Sequence, residues 1–330
     1  MPSTEERPEA APSLRYSELH RLGPREGWRP VVGILGLVVL VLLAQALLTI
    51  VVGGVLVATG VDSGDVTSRL DGDPVTPSYL ALVNLGWAVA IPAVLLVTRV
   101  VHRLPAGWVG SVLRRFRWRW LMTCLGLSIV ALAVTLAVSA VLPAQGDVAV
   151  DVSGPVNPWT DQMRDFLLVV LLLTPLQAAG EEYAFRGYLT QAFGGLAGRF
   201  GERAGLAVAV VVPALLFAIA HGIGQEPAIF FDRFAFGIVA GVLVVLTGGL
   251  EAGIAMHVLN NFLAFTQALL YSDMTSSLNP SGATWWSIPL TLTQSLTYLL
   301  LAWWTARKLG VQRRSIAGGG TILEPQRGHV

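Results

Sequence analysis

The stretch Phe166-Leu-Leu-Val-Val-Leu-Leu-Leu-Thr-Pro-Leu-Gln-Ala-Ala-Gly180 runs without a charge into Glu181 and Glu182, and Arg186 follows on the next turn. Such a run reads as a membrane helix, because a hydrocarbon core about 30 Å thick is crossed by about 20 mostly apolar residues. A charged side chain at the centre of such a helix costs about 2.5–3.5 kcal/mol on insertion scales. Two adjacent carboxylates with an arginine one turn on therefore mark a site that needs an explanation.

The rest of the chain agrees with a membrane setting. Hydrophobic residues make up 54% of the 330 and charged residues 13%, where soluble domains carry about 25% charged. Mean hydropathy is +0.64. A net charge of +1 excludes nucleic acid as a partner, since phosphate binding needs a concentrated basic surface. The single cysteine, Cys124, lies in an apolar run. It excludes an intrachain disulfide and a Cys-rich metal site, and reads as packing. No cleavable signal is expected. The apolar run that begins near Val31 is long enough to span and reads as a signal anchor.

Hydropathy predicts eight spans, at 31–58, 79–101, 120–143, 164–180 with a continuation, 205–221, 230–247, 250–271 and 285–306. The loops support the count. Arg15, Arg21, Arg25 and Arg29 precede the first span. His102, Arg103, Arg114, Arg115, Arg117 and Arg119 follow the second. Arg199 and Arg203 separate the fourth and fifth, and Arg307, Lys308, Arg313 and Arg314 follow the last. The alternate loops carry Asp62, Asp65, Asp71 and Asp73, then Asp147, Asp151 and Asp161, then Asp273. Under the positive-inside rule this predicts an all-α, multi-pass protein of the cell membrane with both termini cytoplasmic. The chain divides into a cytoplasmic segment (1–29), N-terminal membrane helices (30–145), a polar-studded core (160–272), a last membrane helix (273–306) flanked by Trp285, Trp286, Trp303 and Trp304, and a tail (307–330). The tail beyond Arg314, with Gly318-Gly-Gly320, reads as disordered. Its lipid partner is the bilayer itself.

Three polar elements stand in the core. Glu182 and Arg186 are four apart, share a helix face and can pair. Glu181 is rotated about 100° from its neighbour and is free to point elsewhere. The plain alternative is a helix end with its charges solvated at the interface. The second element is Phe217-Ala-Ile-Ala-His221, where the histidine closes an apolar helix. Such a histidine is commonly interfacial, and Phe217 adds little physically among apolar neighbours. The third is His257-Val-Leu-Asn-Asn261, in which His257 and Asn261 share a face while Asn260 points away. Its plain alternative is hydrogen-bonded glue between helices, worth less than about 2 kcal/mol. Taken together, a carboxylate, two imidazoles and an amide can activate water and stabilise an oxyanion. No serine or cysteine joins the group, and Ser295 reads as helix packing. The histidines do not form the H-E-x-x-H pattern of zincins.

The three motifs in order, together with Phe185-Arg186-Gly187, resemble the intramembrane CAAX-protease and bacteriocin-processing family (CPBP, or Abi), which includes the eukaryotic endoprotease Rce1. The resemblance covers about 160–272. It implies a glutamate-dependent intramembrane endopeptidase acting on a membrane-associated peptide or protein. Glu181 would be the base that activates water and His221 would position that water. His257 and Asn261 would line the oxyanion pocket, with Glu182 and Arg186 in support. If a divalent metal such as zinc is bound, Glu181, His221 and His257 could supply its protein ligands, and they could equally hold water alone.

Two other functions compete. Buried Glu and His form proton relays in transporters, although no internal repeat of the transporter kind is present. A non-enzymatic scaffold or immunity protein could use the same residues to join helices. Geometry adds two expectations. A helix that continues to about Gly198 and turns near Gly201 puts Glu181 and His221 level, making His221 the expected partner of Glu181. With straight spans, His257 would lie shallower than His221, because it follows Gly248-Gly249 so closely.

Overall fold

The computed structural model describes residues 13–24, 26–143 and 154–316. Arg25, Asp147, Asp151 and the Gly318–Gly320 tail lie outside the described residues. Within them the fold is all-α, and pairing of extended backbone is confined to two isolated bridges, Arg15 with Arg314 and Ser111 with Gly249.

Helix α1 (Trp28–Ala58) buries only Arg29, Gly33 and Leu37. It turns most of its Val and Leu side chains outward, as a helix bathed in lipid does. Helix α2 (Ser63–Leu70) is a short polar connection. The second span is two pieces, α3 (Pro77–Ala88) and α4 (Ala90–Val100). The Thr76 hydroxyl caps α3 by accepting from the Tyr79 N–H, and Pro77 sits at its first position, where the missing N–H costs nothing. A single turn, α5 (Gly107–Gly110), precedes α6 (Trp118–Ser139). In α6, Cys124 and Ser128 are buried.

The opening stretch lies in α7 (Asp161–Glu181), capped by the Thr160 hydroxyl on the Met163 N–H. The helix continues as a π-helical segment (Glu182–Leu189), as α8 (Thr190–Ala197) and as a closing 3₁₀ turn (Gly198–Phe200). The run Asp161–Phe200 is 40 residues long. It ends at Gly201, whose φ of 108° is a conformation that side chains with a Cβ rarely adopt. The expected turn is therefore found where glycine permits it. Helices α9 (Glu202–Ala220), α10 (Pro227–Thr247), α11 (Glu251–Tyr271), α12 (Met274–Leu278) and α13 (Ser287–Lys308) complete the bundle.

Seven helical stretches are long and apolar enough to cross a membrane. The stretch expected as the eighth span forms helix α13, which is too polar to count among the seven. Thr291, Thr293, Gln294, Ser295 and Thr297 lower its hydropathy. Two of these groups are satisfied inside the protein: Thr293 donates to the Pro289 carbonyl at 2.7 Å, and Gln294 donates to Asn260 at 2.8 Å. Ser295 is buried, in keeping with a packing role.

The loops gather at two ends. At one, Leu14 and Ser315 exchange hydrogen bonds of 2.8 and 2.9 Å, and Arg15 forms an ion pair with Glu202. Both described chain ends thus meet the α8–α9 hairpin there. At the other, Val75 donates to Thr275, Asn157 donates to the Leu270 carbonyl, and Glu226 accepts from Gly282 and Ala283.

The straight-span expectation for His257 is corrected. Helix α10 ends at Gly248 in the left-handed conformation (φ 71°), and the next turn does not surface. Val112 donates to the Gly248 carbonyl at 2.9 Å, and Leu250 donates to the Gly110 carbonyl at 3.0 Å. Arg117 clasps the fully buried Glu251 through its backbone N–H, Nε and Nη2 at 2.8, 2.9 and 2.6 Å. The segment 107–117 roofs the turn, so α11 starts inside the protein. Residues 251–258 are all buried, and His257 needs no long climb to reach the core.

A second histidine cluster ties the first described segment to the long helix. His20 and His102 stack with ring centroids 3.8 Å apart, and His102 Nε2 meets the Tyr188 hydroxyl at 2.8 Å. Both rings are buried, and neither ring nitrogen of His20 has a hydrogen-bond partner among the described residues. Burial, then the neighbouring His102, push His20 well below its ordinary pKa. Burial, then Arg29, push His102 from 6.5 down to about 4. The unfolded state therefore binds protons that the fold rejects. The stability contributed by the neutral pair is complete above pH 6.5 and drains away as pH falls towards about 4. The thermal unfolding midpoint should drop through that window, and His20→Phe, which keeps a ring in the stack, should reduce the slope. An unchanged slope would contradict the account.

Candidate active site

Four elements build the site. Helix α7 brings Gln177 and Glu181, and the π segment brings Glu182 and Arg186. The end of α9 brings Phe217 and His221, and α11 brings His257 and Asn261. Helix α7 lies tightly on α3, since a Cβ on Gly180 would stand 2.0 Å from the Trp87 carbonyl oxygen. The π turn begins where α7 ends, between the two glutamates, and such turns are frequent at functional sites.

Glu182 pairs with Arg186 as its spacing predicts, at 3.0 Å. Both side chains are almost wholly buried, at 0% and 1% exposure. No N–H of Arg186 is aligned into a hydrogen bond among the described residues. The guanidinium lies instead 4.0 Å over the Phe217 ring, and that contact offsets part of its lost hydration. Phe217, expected to add little, is thus central. Its ring also meets His221 edge-on at 4.6 Å and His257 at 6.0 Å.

The two carboxylates do not diverge. They bracket one imidazole. His257 Nδ1 lies 3.0 Å from Glu182 Oε1, and Nε2 lies 3.5 Å from Glu181 Oε2. A carboxylate oxygen can only accept, so His257 Nδ1 carries the proton of the shorter contact. Glu181 Oε2 has no hydrogen bond among the described residues, while Oε1 accepts from Gln177 at 2.6 Å. Gln177 in turn accepts from Asn261 at 3.0 Å. A continuous chain of polar contacts therefore runs from Asn261 through Gln177 and Glu181 to His257, Glu182 and Arg186. A Cβ at Gly253 would stand 2.8 Å from Glu182 Oε2, so α11 approaches this carboxylate closely only because it has a glycine there.

His221 is the exception. Among the described residues no hydrogen bond or ion pair joins it to Glu181, whose partners are Gln177 and His257. The chain turns out of α9 at His221, and its exposed ring folds back so that Nδ1–H donates to the Phe217 carbonyl at 2.8 Å. That bond leaves Nε2 unprotonated in the neutral ring. Gln177 is the residue that sequence reasoning missed. Its signal was available, since it is an amide in an apolar run exactly one helical turn before Glu181 and shares its face.

The donor set does not fit a metal held by Glu181, His221 and His257. No group of three or more His, Cys, Asp or Glu among the described residues is arranged to hold one. The Nδ1 bonds of His257 to Glu182 and of His221 to Phe217 leave Nε2 of each ring as its open nitrogen.

Residues 163–263 match the Rce1-like family of type II CAAX prenyl endopeptidases. Over these residues the chain is similar to that family. The matched segment contains every residue of the site just described. The Rce1-like assignment makes the protein an intramembrane protease, embedded in a bilayer and acting on peptide bonds. The chain is also 26% identical to the uncharacterized protein YyaK of Bacillus subtilis (strain 168) over 262 residues, 74% of this chain and 80% of YyaK. No solved structure matches it.

Proposed function

We propose that this Rce1-like protein is a glutamate-dependent endopeptidase that cleaves a membrane-associated peptide or protein by direct attack of water. The observation that carries this reading is the buried Glu181 carboxylate, held by Gln177 on one oxygen and facing His257 with the other. A water bound at the open oxygen gives its proton to Glu181, and its oxygen attacks the scissile carbonyl carbon. The electron pair moves to the carbonyl oxygen. The Asn261 N–H not used by Gln177 is a donor for this oxyanion, and His257 lines the same pocket. Collapse breaks the C–N bond, and Glu181 returns the proton to the leaving amine. The unprotonated Nε2 of His221 is suited to orient the attacking water. Glu182 and Arg186 hold the Nδ1 edge of His257 in place. By the positive-inside rule the end that joins residues 14 and 315 faces the cytoplasm.

The test uses the full chain in liposomes with a prenylated CAAX-type reporter peptide. The expected result is release of the C-terminal fragment, lost in His257→Ala at an unchanged level of insertion. Proton flux without any hydrolysis would instead support a transporter. Function that survives replacement of Glu181, His221, His257 and Asn261 together, with only thermal stability lowered, would support a scaffold.

A further inference from the structure

His221 stands at the end of α9 and begins a loop that should be loose. Gly222 (φ 126°) and Gly224 (φ 92°) both adopt conformations that favour glycine. Between them Ile223 is 97% exposed. Nothing in the bundle packs over this tip, yet a residue that orients water must hold its ring to a fraction of an ångström. Beyond the backbone bonds from His221 to Ala218 and from Gly222 to Ile219, the loop is fastened by side chains. Gln225 reaches back with its amide to donate to the Ala218 carbonyl at 2.8 Å and to the Gly222 carbonyl at 2.5 Å. Arg233, nearly two turns into α10, donates through Nη1 to the Gln225 side-chain oxygen and to the His221 carbonyl, the latter at 3.3 Å. With the His221 ring on Phe217, the open carbonyls at this helix end, Phe217, Ala218, His221 and Gly222, are each engaged. Of these, Ala218 also accepts from the His221 N–H at 3.4 Å, whereas the last carbonyls of a helix commonly lack a partner within it.

We propose that Arg233, acting through Gln225, is the positioning residue of His221. It clamps the end of α9 to the second turn of α10 and so sets where Nε2 of the ring points. Arg233 makes no hydrogen bond or ion pair with Glu181 or His257 among the described residues, but its charge acts on both Glu181 and His221, and Gln225→Ala, which keeps that charge, separates the clamp from it. The inference rests on the proposed role of His221.

The test measures kcat and KM of the liposome-reconstituted chain on the same prenylated reporter peptide for Arg233→Ala, Arg233→Lys, Gln225→Ala and the double alanine variant. A displacement of about 1 Å can cost about 10²-fold in rate. Arg233→Ala and Gln225→Ala should each lower kcat about 10- to 10²-fold with KM and thermal midpoint unchanged. The double variant should be no worse than either single one, because both break the same clasp. Arg233→Lys, which keeps N–H donors and charge, should recover part of the rate. A raised KM at wild-type kcat would overturn the proposal and make Arg233 a substrate anchor. Wild-type kcat in Arg233→Ala, with His221→Ala inactive, would overturn the clamp and leave the reading of His221 standing. Wild-type activity in His221→Ala would overturn both.

Discussion

Arg186→Met should destabilise the protein by about 3–5 kcal/mol, because it leaves a buried carboxylate without its counter-charge. Glu182 is fully buried, and Arg186 is the cation that stands 3.0 Å from it. Methionine keeps much of the side-chain length and can still pack on Phe217, so the loss reads the charge more than the volume. The measurement is thermal or denaturant unfolding in detergent, wild type beside variant. Pairing the change with Glu182→Gln tests the cause. The double variant buries no net charge at these two positions and should regain most of the lost stability. It should not regain peptidase activity, because His257 has then lost the carboxylate that holds Nδ1. Arg186→Met with wild-type stability would mean that the pair is not what compensates Glu182.

The residues that could be read from the chain alone were those whose partners are near in sequence. Glu182 and Arg186 meet because four residues make one turn, and the turn at Gly201 falls where the apolar period stops at a glycine. The paths of the long helices follow from their hydropathy, and the loops at their two ends follow from charge. What could not be read depends on distant segments. His257 reaches both carboxylates because 107–117 folds over the α10–α11 turn and Arg117 clasps Glu251. In the sequence, Arg117 looks like one more basic loop residue, and Glu251 like the acidic start of a helix. The π segment has no local signature, since Glu182–Leu189 would serve equally well as α-helix. Its presence helps explain why the two glutamates converge on one ring, where an ideal helix turns them about 100° apart. His221 shows the opposite case. Its spacing made it the expected partner of Glu181, but the side chain turned to its own helix carbonyl, a choice made by local hydrogen bonding.

Glu181→Gln carries the largest expected loss of activity. Glutamine keeps the size of the side chain and can still bond Gln177 after its amide turns, so the bundle should insert and unfold as the wild type does. What it loses is the capacity to take a proton from water. Removing a general base lowers a rate by about 10²–10⁴-fold. His257 and Asn261 would remain to line the oxyanion pocket, so binding of the reporter should change little. The most direct measurement is therefore the single-turnover rate of cleavage of the prenylated reporter by Glu181→Gln in liposomes, with insertion and thermal midpoint verified. The account predicts a rate lower by about 10²–10⁴-fold at unchanged reporter binding. A wild-type rate in that verified variant would contradict it.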